Sequence, residues 1–335
     1  MTIKNIRAAV SPVCNMKCRY CSNNNEESYA RMEDFRRHPI SDGVLTYEQW
    51  LGIFKGFYDA GFRGVTLTGG EPTLNQNWMN MLEYCNEIGF INTEITSNLL
   101  DLEKYKDRLE TAKYITKFKV SLDTFDKEKF AYLTGVDGLD RVRDNIQFLC
   151  NQGIPVQLNR VTMKSTQSEL IDYIKEATKM NVSINLLDLV YYKNGRKDNK
   201  IEDWQKEFVT SDDTWEFLNN NLTGLSIIER EPKYGFVTEY NNSRIILKDS
   251  RLTKRAEECK NCKLYCQEGI FTVRIASDGT ITMCPDYDNE LPFIDGVKAL
   301  NEGNLAEQIR HMREYLDIEE ENHFDEYVRR LQGDR

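Results

Sequence analysis

The sequence predicts an α/β protein in which an open barrel of six parallel strands is followed by a smaller second domain. Two observations carry this prediction. In the first half of the chain, short apolar runs alternate with amphipathic stretches, which indicates strand–helix–strand units with parallel pairing and right-handed crossovers. After Tyr191 the alternation ends, and polar segments and short paired strands take its place. A length of 335 residues accommodates both parts.

Six short apolar runs predict the strands of the barrel. They are Asn5–Ser11, Gly64–Thr68, Ile91–Ser97, Ile115–Leu122, Ile154–Met163 and Val182–Val190. The amphipathic stretches between them predict helices. These stretches are Thr46–Ala60, Asn77–Ile88, Asp101–Thr111, Gly138–Asn151 and Ser168–Met180. Six strands are too few for a closed eight-stranded barrel, so we expect an open one.

The rest of the chain predicts a different organisation. Its expected elements are a polar loop at 191–203, a helix at 204–220, short antiparallel strands at 225–247, a hairpin at 274–282 and a polar helix at 304–332. The hairpin is expected to turn at Asp278-Gly279, a dipeptide typical of tight turns. We therefore predict a barrel at residues 1–220, an auxiliary domain at 221–300 and a helical segment at 301–335.

Charge and hydropathy exclude several classes of protein. The chain has 44 Lys and Arg against 54 Asp and Glu, a formal net charge of −10, which argues against generic nucleic-acid binding. No apolar run is long enough for a membrane span, and the first ten residues have no signal-peptide core. We expect a soluble, cytoplasmic protein, and a disulfide scaffold does not suit such a chain.

Seven of the nine cysteines fall in two groups with metal-ligand spacing. The first group is Cys14, Cys18 and Cys21, and the second is Cys259, Cys262, Cys266 and Cys284. Three thiolates suit a four-iron cluster with one iron left open, whereas a zinc knuckle would need a fourth ligand nearby. Four cysteines could ligate either zinc or a second iron–sulfur cluster, and spacing alone leaves both alternatives open.

A glycine pair follows the second predicted strand. Gly69-Gly70-Glu71-Pro72 permits close backbone approach to a ligand and places a carboxylate beside it. Together with C-x3-C-x2-C, this motif resembles the radical S-adenosylmethionine (SAM) superfamily. The resemblance implies a partial (β/α)6 barrel and a [4Fe-4S] cluster held by the first three cysteines. It also implies that the open iron binds the methionine moiety of SAM, which is cleaved reductively to a 5′-deoxyadenosyl radical.

The same resemblance implies which residues contact SAM. Tyr20 corresponds to an aromatic residue that flanks the adenine, and the glycine pair with Glu71 would meet the methionine amino group. Polar residues at the carboxyl ends of later strands complete the set, since barrel ligands sit at that end. The residues assigned to SAM are Tyr20, Gly69, Gly70, Glu71, Ser97, Asn98, Ser121 and Asn159.

The second cysteine group resembles the auxiliary-cluster "twitch" domain, especially that of the GTP 3′,8-cyclases of molybdenum cofactor biosynthesis. This resemblance implies a second [4Fe-4S] cluster and assigns Arg7, Thr96 and Arg274 to the substrate. Three cations of the cyclase pattern are absent, because neutral Thr66, Gln157 and Thr272 stand in their places. A triphosphate would then have few cations to bind, so we expect a related enzyme with a different substrate. The second group has one cysteine more than the cyclase pattern, which also allows the second cluster to be fully ligated.

We therefore predict a radical SAM enzyme that abstracts hydrogen from a small or medium anionic metabolite, nucleotide- or sugar-like, leading to cyclisation, oxidation or epimerisation. One alternative is modification of a ribosomal precursor peptide, and another is a non-catalytic scaffold with two zinc sites. A flavodoxin- or ferredoxin-type protein is the expected reductant. Asp188, Tyr191 and Tyr192 are catalytic candidates through their position at the end of the sixth strand.

Overall fold

A computed structural model describes residues 5–21, 44–190, 201–231, 235–248, 272–283 and 293–317. Its core is one sheet whose strands lie in the order β12-β11-β10-β1-β2-β3-β4-β5-β6-β9-β8-β7. The strands are β1 Asn5–Ser11, β2 Gly64–Gly69, β3 Asn92–Ser97, β4 Lys117–Ser121, β5 Val156–Val161, β6 Ser183–Leu187, β7 Glu229–Glu231, β8 Gly235–Tyr240, β9 Ser243–Leu247, β10 Thr272–Ile275, β11 Thr280–Thr282 and β12 Ile294–Asp295.

Helices connect the strands. They are α1 Tyr47–Asp59, α2 Trp78–Glu87, α3 Lys106–Leu109, α4 Lys127–Thr134, α5 Leu139–Asn151, α6 Lys164–Gln167, α7 Leu170–Lys179, α8 Ile201–Glu207, α9 Ser211–Asn221, α10 Gly296–Asn301 and α11 Leu305–Asp317. Short 3-10 turns cover Pro72–Leu74 and Leu102–Tyr105. All six predicted barrel strands are present, so the predicted parallel α/β barrel is confirmed.

The parallel part of the sheet is larger than the sequence predicts. Strand β9 pairs in parallel with β6, and β10 pairs in parallel with β1, so eight parallel strands lie side by side. The antiparallel pairing predicted at 225–247 is found between β7, β8 and β9. The predicted hairpin is β10–β11, with Gly279 in the left-handed region at φ 90°. The proposed division of the chain at residues 220 and 300 stays a prediction.

Alternation of side chains gives each barrel strand two different faces. On β1, Ile6, Ala8 and Val10 are buried in the hydrophobic core between sheet and helices. Arg7 and Ser11 therefore point to the opposite face, the interior of the barrel. The interior of this barrel is polar, and its outer face supplies the core.

Helix α1 anchors the last described helices to the barrel. Thr46 begins it with a capping box to Gln49, and its aromatic side chains pack into the core. On its other side, a Cβ at Gly56 would lie 2.6 Å from the Leu305 side chain, so the glycine permits close packing of α11. Residues near the C-terminus are thereby tied to the first part of the barrel.

Two predicted helices differ from the structure. The single helix expected at 204–220 is two helices: α8 begins at Ile201, inside the predicted loop 191–203, and ends at Glu207, and Thr210 then starts α9 with its own capping box to Asp213. The stretch 101–111 forms a 3-10 turn followed by the four-residue α3. Helix α4 was not predicted, although Asp126 caps its start and Gly135 ends it in the left-handed region.

Within the described part of the chain, no helix is both long and apolar enough to cross a bilayer.

Candidate active site

The loop that carries the first three cysteines follows β1 and is held against α4. The backbone N–H of Lys17 donates to the Thr134 carbonyl at 2.8 Å, and that of Arg19 donates to Leu133 at 2.9 Å. Within the loop, the Cys21 N–H donates to the Cys18 carbonyl at 3.2 Å. The end of the unpredicted helix α4 therefore fixes the path of the cysteine loop.

The three thiols lie close to one another. Burial raises the pKa of Cys14 to about 12, with smaller contributions from Glu71 and Cys21. Burial also raises the pKa of Cys18, and the neighbouring Cys21 and Cys14 raise it further. Among the described residues, no three His, Cys, Asp or Glu side chains are placed to hold a single metal ion. The mutual electrostatic effects place the three thiols near one another, as the cysteine ligands of one iron–sulfur cluster would need to be.

Two glycines bring the end of β2 against the segment that precedes Cys14. Gly69 has φ 131°, and a Cβ there would lie 2.4 Å from the Ser11 carbonyl oxygen. A Cβ at Gly70 would lie 2.1 Å from the Val13 carbonyl oxygen. The glycine pair therefore allows two backbone segments of this chain to approach each other closely. Direct contact of these glycines with SAM stays a prediction.

Glu71 ties β2 to the end of β3. Its Oε1 accepts hydrogen bonds from the Thr73 hydroxyl and the Ser97 hydroxyl, both at 2.7 Å, and from the Thr73 N–H at 3.1 Å. Its Oε2 accepts from the Asn98 N–H at 2.8 Å. Burial raises the pKa of Glu71, while these donors lower it. The carboxylate therefore organises the strand ends beneath the cysteine loop.

Replacing Glu71 with Gln is expected to destabilise the protein even though the side chain keeps its size. Donors face both carboxylate oxygens, so the amide nitrogen of Gln must meet a donor instead of an acceptor. A buried donor left without an acceptor costs about 1–3 kcal/mol. Thermal unfolding followed by calorimetry measures the loss, with Glu216→Gln on an exposed helix position as the control. A Glu71→Gln variant as stable as that control would contradict this account.

Asn98 connects the end of β3 with the cysteine loop. Its Nδ2 donates to Asn15 Oδ1 at 2.7 Å and lies 3.9 Å from the Cys14 sulfur. The predicted site residues Ser97 and Asn98 are therefore brought together with Glu71 and Cys14. Asn15 lies between two cysteines and was not singled out from the sequence.

Tyr20 is held by a carboxylate that the sequence analysis did not assign to the site. Its hydroxyl donates to Asp123 Oδ2, and Asp123 Oδ1 accepts from the Val161 N–H at 2.8 Å. Burial raises the pKa of Asp123, which is 5% exposed, while the hydrogen bond from Tyr20 lowers it. The signal in the sequence is the position of Asp123, just after β4 at the ligand-bearing end of the sheet.

The remaining residues assigned to SAM lie at the same edge. Ser121 is exposed at the end of β4 and lies in register with Asn159 of β5. Asn159 Oδ1 accepts a hydrogen bond from Asn185 Nδ2 at 3.1 Å. Asp188 is buried just after β6.

The arginines assigned to the substrate are neighbours. Arg7 and Arg274 are register partners on the parallel strands β1 and β10, so they lie side by side although 267 positions separate them in the sequence. Thr66 is the partner of Arg7 on the other side, in β2. Thr96 on β3 is in register with Lys119 on β4.

Several predicted residues lie outside the described part of the chain. They are Tyr191, Tyr192, Cys259, Cys262, Cys266 and Cys284. For Thr272 the structure describes the backbone and not the side chain. The second metal site and the two tyrosines therefore stay predictions.

Comparison with known proteins agrees with this geometry. The model of the radical SAM superfamily matches residues 9–177, just over half of the chain. A probable GTP 3′,8-cyclase of Saccharolobus islandicus is 24% identical over 310 residues, covering 92% of this chain and 91% of that protein. The molybdenum cofactor biosynthesis protein moc-5 of Caenorhabditis elegans is 26% identical over 318 residues, and the match spans 91% of this chain and 47% of moc-5.

Solved structures show the same fold. SuiB of Streptococcus suis bound to S-adenosylmethionine superposes with a TM-score of 0.61 at 19% identity, covering 92% of this chain and 68% of SuiB. SuiB bound to its precursor peptide SuiA superposes with a TM-score of 0.60, also at 19% identity, covering 92% of this chain and 66% of SuiB. The cysteine loop, the glycine pair and the fold all agree with the family match. The chain is therefore an enzyme of the radical SAM superfamily, whose cofactors are a [4Fe-4S] cluster and SAM.

Proposed function

We propose that this enzyme acts on a small anionic metabolite held inside the barrel by Arg7 and Arg274. The observation that carries the proposal is the register pairing of these two arginines on adjacent strands. Two arginines at neighbouring positions of adjacent strands suit a phosphate or carboxylate, because each guanidinium group can contact an oxyanion through two N–H donors. Similarity to the cyclases over most of the chain supports a nucleotide- or sugar-like substrate.

The arginine pair lies below the cofactor edge on the same face of the sheet. Arg7 precedes Ser11 by four residues of β1, roughly 13 Å at about 3.3 Å per residue. The cysteine loop follows the end of β1, and the glycine pair lies beside that end. When bound, the cluster and SAM supply a hydrogen-abstracting radical at that end of the barrel. A substrate bound at Arg7 would extend from the barrel interior towards that radical.

GTP is not the substrate we propose. The neutral side chain of Thr66 lies beside Arg7, and Gln157 lies on β5 in register with Lys119. Thr272, on the same strand as Arg274, is also neutral. A triphosphate would therefore lack cations at three places where the cyclase pattern supplies them.

The test uses anaerobically reconstituted enzyme, dithionite and SAM, with 5′-deoxyadenosine as the product measured. We expect SAM cleavage without added substrate at a low rate, no conversion of GTP to a cyclised nucleotide, and stimulation by the true substrate. Loss of either arginine to Ala should raise the substrate KM about ten- to a hundredfold, since a charge-assisted hydrogen bond contributes roughly 1.5–3 kcal/mol.

Three results would change the proposal. Efficient cyclisation of GTP would refute the exclusion of GTP, and an unchanged KM and kcat in both arginine variants would return these residues to a structural role. Conversion of a precursor peptide, with no response to anionic metabolites, would favour the peptide-modifying alternative.

We also propose a second, fully ligated [4Fe-4S] cluster at the four later cysteines, with an electron-transfer or structural role. The support is the number and spacing of these cysteines beside a radical SAM barrel. A flavodoxin- or ferredoxin-type reductant and a cytoplasmic location complete the proposal. A substrate-dependent change in the paramagnetic spectrum of that cluster, in a variant without the first cluster, would show that it binds substrate directly.

A further inference from the structure

Two asparagine side chains form a chain of hydrogen bonds that leads to the cysteine loop. The Leu100 N–H donates to Asn98 Oδ1 at 3.0 Å, and Asn98 Nδ2 donates to Asn15 Oδ1 at 2.7 Å. The backbone N–H of Asn98 donates to Glu71 Oε2 at 2.8 Å, so the carboxylate that ties β2 to β3 also fixes the start of this chain. We call Asn98 and Asn15 the amide pair.

A backbone donor determines how both amides are oriented. The Leu100 N–H needs an acceptor, so the oxygen of the Asn98 amide faces Leu100 and the nitrogen faces the cysteine loop. That nitrogen also needs an acceptor, so the oxygen of Asn15 faces Asn98 and the nitrogen of Asn15 lies on the other side of its amide. The direction of donation through the amide pair therefore follows from one backbone N–H.

The amide pair has more donors than the described residues have acceptors for. Each amide nitrogen carries two N–H groups. Asn98 Nδ2 uses one on Asn15 and also lies 3.9 Å from the Cys14 sulfur, a distance that suits a weak hydrogen bond to sulfur. Asn15 Nδ2 is buried and has no acceptor among the described residues. Because buried polar atoms normally have a partner, this donor indicates an acceptor that a bound group supplies.

The sulfur of Cys14 is the acceptor closest to these donors along the chain. Asn15 follows Cys14 directly, and the Met16 N–H donates to the Cys14 sulfur at 3.4 Å. A cysteine that ligates iron is a thiolate, which accepts hydrogen bonds more strongly than a thiol does. The sulfur atoms of an iron–sulfur cluster are therefore acceptors of the kind that the amide pair lacks.

We propose that Asn15 and Asn98 donate hydrogen bonds to sulfur atoms of the first cluster, beside Cys14, and thereby raise its reduction potential. The proposal rests on the [4Fe-4S] cluster that the family implies at the first three cysteines, and it is independent of the substrate. Donors to sulfur stabilise the reduced cluster more than the oxidised one, because the reduced cluster carries one more negative charge. This role differs from the SAM contact that the sequence resemblance assigns to Asn98.

Potentiometric titration of the anaerobically reconstituted enzyme, followed by the paramagnetic signal of the reduced cluster, tests this proposal without turnover. The signal of the first cluster is the one missing from a variant that lacks the first three cysteines. We expect Asn15→Ala to make reduction about tenfold less favourable, a fall of about 59 mV in midpoint potential for a one-electron couple. Asn98→Ser should also lower the potential. Its hydroxyl keeps an acceptor for the Leu100 N–H, but the amide donor beside Cys14 is lost.

Asn80→Ala is the matched control. It removes an amide on helix α2 whose oxygen accepts from Arg108 at 2.7 Å, and its midpoint potential should equal that of the wild type. An unchanged or higher potential in either Asn15→Ala or Asn98→Ser overturns the proposal. A higher potential would mean that the substitution only admits water to the cluster, since water stabilises the more highly charged reduced state.

The titrations are run without SAM and then with SAM, because SAM is the other acceptor that could lie beside the amide pair. We expect the same fall in potential in both. A fall that is seen only with SAM would show that the pair donates to SAM, which also overturns the proposal. If Asn15→Ala does not take up iron, the result for Asn98→Ser decides alone.

Discussion

We expect that replacing Cys14, Cys18 and Cys21 together with Ala abolishes 5′-deoxyadenosine formation and removes about half of the iron. We predict that these three thiols are the ligands of the cluster that cleaves SAM, and their electrostatic effects on one another show that they lie close together after β1. If each cysteine group holds four irons, the wild type contains about eight per chain and the variant about four. Iron and acid-labile sulfide analysis after anaerobic reconstitution measures both.

Cys150→Ala is the matched control for this variant. Cys150 is a partly buried thiol on α5 that belongs to neither cysteine group, so iron content and SAM cleavage should remain as in the wild type. Loss of all iron from the triple variant would show that the two sites do not load independently. A wild type that takes up zinc and no iron would refute the assignment of both sites.

Gly69→Ala is expected to have the second-largest effect. The new Cβ would lie 2.4 Å from the Ser11 carbonyl oxygen, and the φ of 131° is one that Ala rarely adopts. Because the obstacle is backbone, the end of β2 must move away from the cysteine loop. We expect a cost of at least about 3 kcal/mol, from overpacking added to backbone strain. Thermal unfolding should show it, together with weaker retention of iron by the first site.

Gly153→Ala isolates the part of this cost that comes from backbone strain. Gly153 has φ 70°, and a Cβ there would meet nothing within 4 Å. We expect about 1–2 kcal/mol for this control and unchanged iron content. Gly70→Ala tests the overlap alone, because its Cβ would lie 2.1 Å from the Val13 carbonyl oxygen without a positive φ. Equal stability of Gly69→Ala and Gly153→Ala would mean that the strand end accommodates the added methyl group.

The barrel was predictable because its signals are local. Strand β1 begins and ends where its apolar run does, and α5 differs from its prediction by one residue at its start. Hydrophobic periodicity determines such elements, since each must bury one face whatever its neighbours are. Helix α4 was missed because its periodicity is weak, and its caps at Asp126 and Gly135 are the clearer signals.

The chemistry of the first site was also local. Cys14, Cys18 and Cys21 lie within eight residues, and Gly69 to Glu71 are consecutive, so the motifs that carry the family resemblance, and through it the cofactors, are visible in short stretches of sequence. The hydrogen-bond partners of these residues, however, come from distant parts of the sequence. The bonds of Glu71 to Ser97 and Asn98, and of Tyr20 to Asp123, join residues from different strands, and sequence spacing carries no information about such pairs.

The sequence by itself indicated the family, and through it SAM and the first cluster, and it predicted the barrel strands in their order along the chain, because short motifs and periodic burial are local signals. The tertiary structure alone decided that β9 and β10 continue the parallel sheet and that Arg7 and Arg274 are neighbours. It also placed Glu94, which forms an ion pair with Lys119, in the same row across the sheet as Thr66 and Arg7. Register between strands distant in sequence depends on how the whole sheet packs, so charges that meet across it become visible only in the folded chain.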